Sequence, residues 1–92
     1  MIQFVIYDEL HCELISRHES LEAATAELAR LAALPWSEDP NRAPCVEWRD
    51  CGRHYEIREC DTASTPWSQL RVIKGLKVEA TGTLWYDDLE QP

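Results

Sequence analysis

Between Ser20 and Leu34 the sequence carries its clearest structural signal, with Leu21, Ala24, Leu28, Leu31 and Ala32 recurring at helical spacing. Ser20 offers a side-chain acceptor as N-cap, Glu19 and Glu22 sit where the helix dipole favours negative charge, and Pro35 ends the run because proline has no backbone donor. One amphipathic helix cannot bury its own stripe. The remainder of the 92 residues must therefore supply a surface for those leucines, which points to a sheet.

Alternation supports this. Ile2, Phe4 and Ile6 alternate with Gln3, Val5 and Tyr7, and Leu14-Ile15 follows a polar break at Asp8-Glu9-Leu10-His11, so residues 2–17 read as a hairpin. A two-residue loop at Glu9-Leu10 pairs Val5 with Leu14, and Ile6 less favourably with Glu13. Residues 35–44 contain Pro35, Pro40 and Pro44 and show no period, which makes them a loop. Beyond it, Val46 and Trp48 would face Ile57 and Tyr55 across a turn at Asp50-Cys51-Gly52-Arg53, a second hairpin with its apolar residues on one face. Thr65-Pro66-Trp67 could open a helical turn, with the conformation of residues 66–73 left open between strand and helix. Leu76, Val78 and Ala80 alternate as a half-buried strand, and Gly82 permits a turn into Leu84-Trp85-Tyr86. The expected fold is a single α+β domain over residues 1–92, ββα then three or four strands, with an antiparallel sheet of about five strands packed on the helix.

Charge narrows the function. Seventeen acidic against nine basic residues give a net charge of −8, which repels phosphate backbones and argues against direct nucleic-acid binding. The N-terminal residues carry neither a basic start nor a long apolar run, so a membrane span or export signal is not expected and the chain reads as cytoplasmic. In that compartment the four cysteines are expected as thiols. With three glycines there is no phosphate-cradling loop, and the hydrolase and metalloprotease motifs are missing too, so no enzymatic activity is expected.

The chemically pointed residues are few. Cys51 and His54 have the two-residue gap of a zinc half-site, with Cys12, Cys45 and Cys60 as candidates for the remainder, although strand rise puts Cys45 and His54 roughly 12 to 14 Å apart. A zinc-binding or redox-responsive regulatory domain is the alternative reading.

The leading reading is a small acidic interaction protein that docks on a protein partner. In its narrower form it is an inhibitor of virus or mobile-element type, occupying a cationic nucleic-acid-binding surface of a host system. The tripeptides Pro35-Trp36-Ser37 and Pro66-Trp67-Ser68 each set a tryptophan at an element boundary, where it can anchor an interface or cap a core. Trp36, Trp67, the helix acids Glu19, Glu22 and Glu27, and the cations Arg49 and Arg53 are therefore the expected partner-binding residues. The basic stretch Arg71, Lys74 and Lys77 against an acidic helix makes the surface two-signed, which also suits a homodimer.

Overall fold

The helix forms where its period places it. In the computed structural model, which describes residues 1–42, 52–79 and 82–86, α1 spans Leu21–Ala33, with the Ser20 side chain accepting from the Ala23 backbone N–H and Leu34 as C-cap. Ala24, Leu28 and Leu31 are its buried residues. The strands are β1 Ile2–Asp8, β2 Glu13–His18, β3 Arg53–Asp61, β4 Ser68–Glu79 and β5 Gly82–Trp85. They make one antiparallel sheet in the order β2-β1-β3-β4-β5, with α1 packed on one face.

The core lies between α1 and the three inner strands. Leu28 and Leu31 meet Ile6, Tyr55, Ile57, Leu76 and Val78, all at most 1% exposed. Phe4, Ile15, Trp36, Ile73 and Trp85 close the rim. Burying each of the large members removes enough apolar surface to contribute about 1.5–3 kcal/mol. Gly52 explains itself here, because an added Cβ would fall 2.2 Å from the Val78 carbonyl oxygen. The start of β3 can approach β4 that closely only without a side chain.

Two expectations about local pairing change. The first hairpin has a four-residue loop and pairs Tyr7 with Leu14 and Asp8 with Glu13, not Val5 with Leu14, and a bulge at Ile15 shifts the next pair to Ile6 with Ser16. The cause is Asp8: its Oδ1 accepts from the Leu10 N–H at 3.0 Å, which turns the chain later, and Cys12 takes up the reversal at φ 53°. Of the second hairpin only the second strand, β3, is described; the first, with Val46 and Trp48, lies outside the described residues. In β3, Tyr55 pairs with Asp8 on one side and Leu76 on the other, and Ile57 with Ile6 and Ile73. Lastly, no helical turn opens at Pro66; residues 68–79 are one long strand. That strand bulges at Leu70 and Gly75, neither of which has a partner on β3.

Candidate functional site

A buried polar cluster sits where β1, β3, the end of α1 and the 35–42 loop meet. Asp8 is fully buried, and its carboxylate receives the Leu10 and His54 backbone N–H groups, the Arg53 guanidinium at 3.0 Å and His11 Nδ1 at 2.6 Å. Arg53, 4% exposed, also donates to the carbonyls of Pro40 and Arg42 and pairs with Glu13 at 2.8 Å. Burial pushes its pKa down, but the bond to Asp8 and the charge of Glu13 outweigh that and raise it, so the guanidinium stays charged. Asn41 donates to the Leu31 carbonyl at 2.8 Å and accepts from the Tyr55 hydroxyl at 2.8 Å. Burial raises the Tyr55 pKa and keeps that hydroxyl a donor. Each group answers another, and among the described residues no buried side-chain polar atom lacks a partner. Such satisfaction is what a structural pin requires.

The opposite face of the sheet, free of α1, is charged rather than apolar. The Lys74 ammonium bonds Glu9 and, at 3.1 Å, Glu56, while Arg58 Nε reaches Glu56 at 2.5 Å and its guanidinium lies 3.6 Å from the centre of the Tyr7 ring. The Lys74 bond holds the Glu9 carboxyl below its ordinary range. Arg17 of β2 stacks over Trp67 at 4.6 Å, although the residue just after Trp67 starts β4, three strands away. Adjacent strands lie about 4.8 Å apart, so the indole and the arginine together bridge this end of the face.

The expected partner-binding residues separate. Arg53 is buried in the polar cluster and offers nothing to a partner; that expectation is corrected, because its charge is used to hold Asp8. Trp36 packs on the core rim, and Trp67 is 37% exposed beside Arg17. Glu19 and Glu22 are exposed, whereas Glu27 is gripped by Arg30 through two bonds of 2.7 and 2.5 Å, which lower its pKa. The acidic row is thus broken by its own helix. Arg49 lies outside the described residues.

The metal expectation also divides. Cys45 and Cys51 lie outside the described residues, and among the described ones no group of three His, Cys, Asp or Glu could hold a metal ion. Cys60 and His54 are six residues apart on β3, about 20 Å by strand rise, so they cannot share an ion. Burial raises the Cys60 thiol pKa, which further disfavours the thiolate that a ligand or nucleophile needs. Cys12, in the loop after Asp8, is the described cysteine at the His54 end of the sheet. A hydroxyl–imidazole pair does occur, Ser16 Oγ with His18 Nε2 at 2.8 Å, the first requirement of a nucleophile and its base. Glu27, the carboxylate that feels the His18 charge, is occupied by Arg30.

What the sequence reading missed is the flank of the sheet. Positions 68–72 of β4 are all exposed although they lie in a strand; Trp67, Leu70 (54%) and Val72 (36%) are exposed at this end, and Leu84 (61%) of β5 is exposed farther along, opposite Lys77. The run Leu70-Arg71-Val72-Ile73 is the signal in the sequence, a strand-like stretch that follows closely on the turn signal of Thr65-Pro66-Trp67. Among the described residues no helix is long and apolar enough to cross a membrane. No family model, curated protein or solved structure matches the chain.

Proposed function

We propose that this domain is a non-enzymatic docking module that binds a protein partner through the flank formed by β4 and β5. The observation that carries this is the exposure of every residue from Ser68 to Val72, with Leu70 and Val72 among them, in a strand whose other half is core. Half-open apolar strands are uncommon on a surface that only water meets, and Trp67 beside them is a residue type that dominates interface energies. The negative net charge supports a protein over a nucleic acid as partner. The narrower form, an inhibitor laying helix carboxylates on a cationic surface, has Glu19 and Glu22 in its favour and loses Glu27 to Arg30.

Cross-linking of the tagged chain in native extract, compared across variants, tests the choice of surface. The double variant Leu70→Glu/Val72→Glu is expected to lose a partner that the double variant Glu19→Lys/Glu22→Lys keeps. The opposite pattern would move the interface to the helix and favour the inhibitor.

A further inference from the structure

Arg30, Arg53, Arg58, Arg71, Lys74 and Lys77 each meet a carboxylate of the chain itself. Arg17 does not. Among the described residues its contacts are the Gln3 side-chain oxygen, which accepts from Nε at 3.1 Å, and the Trp67 ring, whose centre lies 4.6 Å away. Both partners are neutral, in a chain with seventeen acidic residues, and they hold the guanidinium by its Nε and by one flat side. The edge that carries the two Nη groups meets no acceptor among the described residues, and the side chain is exposed. Apolar surface flanks it. Trp67 is 37% exposed, and Leu14, which pairs with Tyr7 as Arg17 does with Val5, lies on the same face of β2 and is 45% exposed.

Resting on the docking reading above, with Trp67 common to both, we propose that Arg17 receives one aspartate or glutamate side chain of the protein partner, between apolar contacts on Trp67 and Leu14. A guanidinium can donate from both Nη groups to the two oxygens of one carboxylate. Here Gln3 and Trp67 already set its orientation, so little side-chain freedom is left to lose on binding. The net charge of −8 limits the occupant to a single acid on a partner that is not acidic overall, because an acidic surface or a phosphate backbone is repelled at longer range. A second copy, itself at −8, is disfavoured on the same ground. Apolar surface on two sides of Arg17 places that acid within a segment of the partner and not at a chain end.

The test follows the Arg17 Nε–H and Trp67 indole N–H signals by NMR in the full chain. The probes are two capped tripeptides, valine-glutamate-valine and valine-glutamine-valine, and inorganic phosphate. The glutamate tripeptide is expected to shift both signals saturably and to bind at least about tenfold more tightly than its glutamine counterpart. The Nε–H of Arg71, which already meets Glu59, is expected to stay in place. Arg17→Gln, a change at an exposed side chain, is expected to abolish the response of the indole. Equal binding of both tripeptides, or of neither, overturns the proposal. So does a shift of Arg71 as large as that of Arg17, which marks a general charge effect, and so does tighter binding of phosphate than of the glutamate tripeptide. In the cross-linking comparison, a partner lost with Leu70→Glu/Val72→Glu and kept with Arg17→Gln removes the carboxylate site and leaves the docking reading. A partner kept with Leu70→Glu/Val72→Glu and lost with Arg17→Gln removes the β4–β5 flank and leaves the carboxylate site.

Discussion

Gly75–Val78 and Ser68–Val72 belong to the same strand, yet the first segment is largely buried between β3 and β5 while the second is exposed with β3 alone beside it. Their sequences do not differ in kind, with Leu76 and Val78 in one and Leu70 and Val72 in the other, but the bulge at Gly75 puts Val72, paired with Arg58, on the face that α1 does not cover. What differs is the cover. At one end α1, the 35–42 loop and the Asp8–Arg53 pair close over the sheet, and at the other the Arg17–Trp67 contact crosses it without burying Leu70 or Val72. Burial of an apolar side chain is thus decided by what the chain brings to it, and strand propensity only makes it available.

The comparison predicts a gradient of stability that substitutions can break. Arg53→Met, at the covered end, strands the Asp8 carboxylate without its cation and frees two carbonyls; equilibrium urea unfolding is expected to show a loss of about 3–5 kcal/mol. A loss under about 1 kcal/mol would show that the cluster does not pin this end. Gly52→Ala drives a methyl into the Val78 carbonyl, which the paired backbone of β4 cannot readily yield; a loss of about 1–3 kcal/mol is expected in the same measurement. Wild-type stability in this variant would place the tight approach of β3 and β4 in doubt.

Where the two segments meet, Lys74 ties Glu9 to Glu56. The Lys74 bond lowers the Glu9 pKa from its ordinary 4.5, so its contribution is present above that value and disappears as pH falls through the folded-state value. Glu9→Gln is expected to lower stability at pH 7 by no more than about 1 kcal/mol and to converge with the unsubstituted chain below about pH 4.5, which flattens the acid limb of the stability–pH curve. An unchanged acid limb would mean that the bond is spent in solvent. At the open end the smallest effect is expected: Leu70→Glu with Val72→Glu should alter folding stability by no more than about 0.5 kcal/mol per site. A larger loss would reveal cover on this flank and end the contrast between the two segments.

The polar cluster left a trace in the sequence that pattern reading passed over. Asp8 shares the parity of Ile2, Phe4 and Ile6, and Arg53 that of Tyr55 and Ile57, so at this end of the sheet each strand carries a charge, of opposite sign, on its buried face; the other charges of that parity on β3, Glu59 and Asp61, lie at the far end. Two such charges ask for each other. Asn41 gave no such sign, because its role comes from carbonyls at the C-terminus of α1, that of Leu34 and that of Leu31, which also accepts from the Leu34 N–H.

The sequence by itself determined the helix, its cap and its buried stripe, because these depend on neighbours three and four residues apart. It determined likewise that the rest of the domain is largely strand, since alternation is also local. Only the tertiary structure decided which strands are neighbours, that β3 lies between β1 and β4, and that Arg53 is a pin and not a contact. Those outcomes rest on partners far apart in the chain, 45 residues for Arg53 and Asp8, and a period of two cannot say which strand will lie alongside.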